Sequence, residues 1–285
     1  MTPLSMGDVI KNIRDLPALP VIVMELMSAL DEDDSGSNDL ADRLSRDQAL
    51  TAKTLRLANS SFYGMQSKVT SIQQAIAILG FNGVRSLVTT AAIIGGFSSS
   101  AHSTFNFSGF WRHSVATAVC AKNLSKLVGM NQDYAFMIGL LHDIGRLVLV
   151  TGSPEHYAMV ITRQQDNDCY AIDAERDTLG IDHAMVGSAL AAHWKFPPLM
   201  QKAILDHHAP LSEMPPSYTS VIHAADCIAH GLDLSGDDHD LVPRLSETVW
   251  KNLNLGQEAL SGIYRETEVQ FEEACQILLT RERAT

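Results

Sequence analysis

The sequence predicts an all-α protein, with an N-terminal helical bundle packed on a second helical subdomain. Three observations predict it. Segment after segment places apolar residues three and four positions apart, the spacing of one helix face. Short clusters of Ser, Asn, Asp, Gly and Pro separate these segments and supply helix starts and stops. Strand signals are few along the chain.

Taken in order, residues 6–14 form a short amphipathic start, interrupted by Leu16-Pro17-Ala18-Leu19-Pro20, where each proline restricts the residue before it. Val21 to Leu30 again shows helical spacing. Asn38 is an N-cap for a helix through about Arg46, and Asp47 caps the next, whose Leu50, Thr54, Leu57 and Ala58 share a face. A polar loop around Gly64 follows. Ser71 opens a helix with Ile72, Ala75, Ile76 and Leu79 as its core stripe; Gly80 ends it, and Asn82 caps another running to about Ile94. Gly95 to Ser108, rich in Gly and Ser, is the best boundary in the chain. Further helices are expected at about 109–129, 132–150, 154–167, 182–194, 197–207, 215–231, 239–253 and 257–281. Pro197-Pro198 and Pro215-Pro216 fall at helix starts, where a missing N–H costs least. The expected divisions are 1–97, 98–235 and 236–285.

Apolar residues make up 46% of the 285 and charged residues 19%, enough for a large core. The net charge of −12 repels a phosphate backbone and, with no Lys/Arg cluster to reverse it, disfavours nucleic acid as a partner. The acidic run Asp31-Glu32-Asp33-Asp34 fits a solvated loop. No apolar run reaches bilayer-spanning length, and residues 1–10 lack the pattern of a secretory signal, so no membrane association is expected. Cys120, Cys169, Cys227 and Cys275 are scattered with no CxxC pair, as in a reducing, cytoplasmic setting.

The segment 134–150, YAFMIGLLHDIGRLVLV, carries the most chemical information. It is apolar nearly all round and should be central and buried, yet His142, Asp143 and Arg146 sit in its middle. A buried carboxylate must be paired, hydrogen-bonded or metal-bound. Asp143 and Arg146, three apart, can form an ion pair, but that leaves His142 unexplained. Gly139 and Gly145 allow close backbone approach. Among the 11 histidines, His113 follows Phe110-Trp111-Arg112, His183 follows the N-cap candidate Asp182, and His207 and His208 are adjacent at a helix end. Asp226 lies in an apolar run with His223 and His230 on its own face. Imidazole and carboxylate together suit Mn, Fe, Zn, Co or Ni better than Mg. Arg56 and Asn59 are polar positions on an apolar helix and fit helix-to-helix hydrogen bonds.

The order His113, His142-Asp143, Asp226 resembles the H…HD…D pattern of the HD metal-phosphohydrolase superfamily, and His183, His207 and His208 resemble the extra ligands of its two-metal members, including the HD-GYP cyclic-dinucleotide phosphodiesterases. DQALTAKTLRLANSSFYG at 47–64, LPALP at 16–20, SIQQAIAILG at 71–80, WRHS at 111–114 and DHAMVGSALAAHW at 182–194 are similar to the HDOD branch of that superfamily. The resemblance covers about residues 10–230 and implies an HD-domain-like multi-helix fold. It implies two divalent transition-metal ions (Fe, Mn, Zn or Ni), the first held by His113, His142 and Asp226, the second by His183, His207 and His208, with Asp143 bridging. It also implies a bacterial-type signalling or regulatory protein with a protein partner. The alternative is a metal-dependent phosphohydrolase acting on a nucleotide or other phosphoester, with Asp143 orienting water and Arg146 neutralising charge. The chain departs from the phosphodiesterases in three places. Arg146 stands where they carry lysine, Ala209-Pro210-Leu211 replaces their glycine-tyrosine-proline signature, and Gly109 stands where some three-metal relatives place a glutamate. A structural metal, or a metal-free polar network around Asp143, are the remaining alternatives for the site.

Overall fold

The computed structural model describes residues 6–15, 23, 41, 44–45, 47–60, 68–96, 104–210, 215–237 and 240–279. The expected helices at 21–30 and 38–46, the proline-rich segment 16–20, the acidic run and the loop around Gly64 lie wholly or mostly outside these residues. Among the described residues there is no strand, and the helices are α1 (Met6–Asp15), α2 (Gln48–Ala58), α3 (Ile72–Gly96), α4 (Phe107–Leu127), α5 (Gln132–Leu141), α6 (Ile144–Gly152), α7 (Pro154–Asn167), α8 (Ala171–Leu179), α9 (His183–His193), α10 (Pro198–Asp206), α11 (Tyr218–Gly231), α12 (Glu247–Leu253) and α13 (Gln257–Leu279).

The local signals act as the sequence suggests in most places. The Asp47 carboxylate accepts from the Leu50 N–H, Asn131 caps α5 through Tyr134, Asp182 caps α9 through Met185, and Ser217 caps α11 through Ser220. Gly80 interrupts α3 with φ 76 and ψ 166, a left-handed conformation open to glycine. Asn59 closes α2 onto the next segment: its side-chain amide donates to the Leu55 and Val69 carbonyls and its carbonyl accepts from the Val69 N–H.

Three expectations are corrected. The segment 132–150 is two helices, because His142 and Asp143 form a turn with Asp143 at φ −98, ψ 6. On an unbroken helix, adjacent side chains diverge by about 100°, so the break is what lets both point to one place. The segment expected at 239–253 is helical only from Glu247; residues 240–246 are irregular loop. Helix α8 was not foreseen, since AIDAERDTL has only a thin apolar stripe; Gly180 in the left-handed region ends it.

Helix α4 is the axis of the second subdomain. It packs on α5, α11 and α13, while α6 packs on α9, α9 on α10 and α10 on α11. Helices α2 and α3 pair, and α3 meets α5. Helix α13 lies against α4, α2 and α3, so the C-terminal helix ties the bundle to the second subdomain. Trp111 and Trp194 are buried as core residues, and Trp250 packs against that core from a half-buried position. All four cysteines are free, three of them buried. Ile72–Ile94 and Gln132–Gly152 pass for membrane spans by length and composition alone, but the first is kinked at Gly80, the second is broken at His142-Asp143, and both are mostly buried inside the fold.

Candidate metal centre

Five elements deliver the seven side chains singled out by sequence. Helix α4 carries His113, the α5–α6 break carries His142 and Asp143, the first turn of α9 carries His183, the end of α10 carries His207 and His208, and the middle of α11 carries Asp226. All are buried except His208, which is half-buried. The close approach of α6 to α9 is set by Gly145, where a Cβ would fall 2.0 Å from the His183 carbonyl oxygen.

The histidines cluster round two carboxylate oxygens. Asp143 Oδ1 lies 3.1 Å from His183 Nε2 and 3.5 Å from the Nε2 atoms of both His142 and His207. Asp226 Oδ1 lies 3.1 Å from His113 Nε2, 3.5 Å from His142 Nε2 and 3.3 Å from His230 Nε2. His142 therefore stands between the two carboxylates.

The far side of each ring decides what faces inward. His142 Nδ1 donates to the Gly139 carbonyl and His207 Nδ1 to the Ile204 carbonyl, both at 2.7 Å, while His183 Nδ1 donates to Glu175 Oε2 at 2.6 Å. With the neutral ring's proton committed there, each Nε2 turns a lone pair toward the lone pairs of Asp143 Oδ1. That oxygen and His207 Nε2 are buried with no hydrogen-bond partner. His183 Nε2 and His208 Nε2 likewise meet at 2.8 Å, and His113 Nε2 and His142 Nε2 at 3.2 Å. Converging lone pairs repel unless protons or a cation lie between them, so the donor set fits a divalent ion. The geometry yields the set Asp143, His183, His207, His208 and the set His113, His142, Asp226, each with its ligand atoms within 4.8 Å of one another.

The ionisation directions show protons relieving this crowding where an ion otherwise would. Burial works against charge on both carboxyls, yet the imidazoles beside them hold Asp143 and Asp226 well below the usual carboxylate range. Burial also opposes charge on His183, but Glu175 and Asp143 outweigh it and raise its pKa to about 10, so a second proton on Nε2 takes the cation's place there and a bound ion must displace it. Burial and the neighbouring His207 and His183 push His208 well down.

A closed circuit supports the second set. Arg146 Nη1 reaches Asp143 Oδ2 at 3.4 Å, Arg146 Nε donates to the Tyr157 hydroxyl at 3.1 Å, and that hydroxyl donates to Glu175 Oε1 at 2.9 Å. Glu175 returns to His183 through both Nδ1 and the backbone N–H. The Arg146 guanidinium also lies over the Phe105 ring, 5.4 Å from its centroid. Two chambers of about 250 Å³ open beside the centre, one reaching His113 and the other His183 and His208; Arg146, Gln164 and Asp240 line both.

A family model described as the HDOD domain matches residues 16–210, more than half of the chain. The chain belongs to the HDOD family. Of the seven candidate ligands of this HDOD protein, only Asp226 lies beyond the matched residues. Its fold is similar to that of an HDOD domain protein of unknown function from Geobacter sulfurreducens, at 24% identity and TM-score 0.78, covering 97% of this chain and all of that one. It is also similar to a Shewanella amazonensis SB2B protein provisionally named a phosphohydrolase, at 28% identity and TM-score 0.68, covering 93% of this chain and 98% of that one. An uncharacterised Treponema pallidum (strain Nichols) protein is 27% identical over 215 residues, which is 74% of this chain and 41% of that protein. The HDOD chain thus spans about two fifths of the length of that curated relative.

Sequence reasoning missed Glu175, Tyr157 and Asp240, and left His230 as a flanking residue. Glu175 is hidden in the charged string DAERD, which reads as a solvated face, yet it is fully buried. His223, the other histidine beside Asp226, is excluded: its Nδ1 donates to the His207 carbonyl and its Nε2 accepts from the Ser246 N–H, so both nitrogens are committed.

Proposed function

We propose that this protein is an HDOD signalling or regulatory module built around a two-metal centre. One ion is held by His113, His142 and Asp226, the other by His183, His207 and His208, with Asp143 shared between them. The observation that carries this is Asp143 Oδ1, a buried oxygen without a hydrogen-bond partner, ringed by three imidazole nitrogens whose protons are committed elsewhere. The donor chemistry favours Fe, Mn, Zn or Ni. The module's output is a protein partner that responds to the helices packed round the centre, since the net charge of −12 argues against nucleic acid.

A second reading, a metal-dependent phosphohydrolase, is favoured by the two chambers that open at the centre. A metal pair supplies an activated water and charge neutralisation when bound. Arg146, held by Asp143, Tyr157 and Phe105, presents a fixed cation to a phosphoryl group where the chambers meet. Asp143 would hold the attacking water in line. The provisional naming of the Shewanella relative points the same way.

The test is elemental analysis of protein purified without a histidine tag, beside Asp143→Ala. About two equivalents of transition metal in the parent, largely lost in the variant, is the expected result. Less than about a tenth of an equivalent after metal addition would overturn the metal centre. A phosphoester hydrolysis screen with and without chelator then separates the two readings: turnover abolished by chelation and by Asp143→Ala establishes the enzyme, and its absence from metal-loaded protein leaves the regulatory module.

A further inference from the structure

Beyond the seven residues, His230 and Asp240 stand against the centre with no role in either set. His230 follows Asp226 by one helical turn of α11, so both face the same way. Asp240 comes from the loop after α11, outside the residues matched to the family. His230 Nδ1 lies 3.0 Å from Asp240 Oδ2, yet this nitrogen is buried and has no hydrogen bond in that geometry. On the other side, the His113 and His230 rings lie 4.2 Å apart at 37°. His113, His230 and Asp240 each offer a ligand atom within 4.8 Å of the others.

We propose that His230 and Asp240, beside His113, form a third cation position, next to the first ion of the pair and at the edge of both chambers. The proposal rests on the two-metal centre for its neighbours but not for its own donors, since the lone pair of His113 Nε2 belongs to the first ion. An imidazole with a carboxylate suits Mn, Fe, Co, Ni or Zn and leaves coordination positions open. The open side has an obvious direction. His113 lines one chamber, His230 the other, and Asp240 both, so a ligand entering either chamber meets this ion. The donors form a row: His183, His207 and His208 beside Asp143, then His142, then Asp226 with His113, then His230 and Asp240. The third position is the end of that row fixed by a loop, whereas the pair is fixed by helices and helix ends. It is therefore the position whose occupancy a bound ligand can change.

The competing account is an ion pair in which a protonated His230 is shared by Asp226 and Asp240, with no metal. Manganese stoichiometry after equilibration and desalting separates the two, measured on tag-free parent, Asp240→Asn, His230→Gln and Asp143→Ala. The expected result is that Asp240→Asn and His230→Gln each bind about one equivalent fewer than the parent while keeping the pair. Equal stoichiometry in parent and Asp240→Asn overturns the third position in favour of the ion pair. Loss of all metal from a folded Asp240→Asn also overturns it, because the residue would then belong to the pair. If the parent holds one equivalent that survives Asp143→Ala but not Asp240→Asn, the third position stands and the pair falls. A parent that binds none overturns both.

Discussion

Replacing Gly145 by alanine tests how the second half of the centre is held together. In an open helix the change should stabilise, by about 1 kcal/mol, because alanine is the better helix former. Here a Cβ would lie 2.0 Å from the His183 carbonyl oxygen, 2.6 Å from the Gly187 nitrogen and 2.8 Å from the His183 carbonyl carbon. All three are backbone atoms of α9, so no side chain can turn aside. Contacts under 3.0 Å are essentially never tolerated, so the first distance alone requires α6 and α9 to part by at least 1.0 Å, from 2.0 to 3.0 Å. Overpacking of this kind costs about 1–3 kcal/mol or more. The expected outcome is a net loss of about 2 kcal/mol, read as a Tm lowered by roughly 4–8 °C. Metal ligation tolerates about 0.2 Å, and the displaced α9 carries His183, so the ion beside Asp143 should be lost as well. Thermal unfolding with elemental analysis on the same sample reads both effects. A Gly145→Ala protein that melts at or above the parent and keeps its full metal content would refute the claim that this glycine sets the His183–Asp143 spacing.

Gly139→Ala is the companion on the other side. Its Cβ would meet Ala118 Cα at 2.8 Å, and Ala118 N and the Thr117 carbonyl oxygen at 3.0 Å, so it should disturb His113 and His142 with a smaller loss of stability than Gly145→Ala. Glu175→Gln removes the carboxylate behind His183 and should weaken metal binding about 10- to 100-fold with the fold intact, as read by competition with a chelator; an unchanged affinity would count against its supporting role. Asn59→Ala deletes three hydrogen bonds, two of which close α2 onto Val69, and should cost about 1–3 kcal/mol in denaturant unfolding while leaving metal content unchanged. Burial lowers the Lys122 pKa to about 8, so the folded protein binds fewer protons than the unfolded chain between pH 8 and 10.5. Its contribution to stability therefore rises as pH climbs through that window. Lys122→Met should abolish the rise, and a parent-minus-variant difference flat from pH 8 to 10 would show the shift is absent.

Much of the molecule was legible in the sequence because the signals involved are local. Apolar spacing located most of the helices, and Asp47 and Asp182 act through N–H groups only a few residues away. The ordered set from His113 to Asp226 marked the chemistry, because histidine beside aspartate in an apolar run has few inexpensive explanations. Gly139 and Gly145 signalled close backbone approach, which the packing of α5 on α4 and of α6 on α9 shows.

The tertiary structure decided the rest. No local pattern marks the turn at His142-Asp143, since the flanking residues continue the same apolar period; the break is favoured by what it lets the two side chains reach on four other helices. Glu175 reads as surface in its own neighbourhood, and only the packing of α8 on α7, with the turn into α9, buries it against His183. His230 and Asp240 are ten residues apart, with a helix end between them, and only the folded chain brings them within 3.0 Å. The sequence by itself determined which residues must be buried together with their charges. Which of them share an oxygen, a proton or an ion depends on separations of a few tenths of an ångström between distant segments, and those are set only when the helices pack.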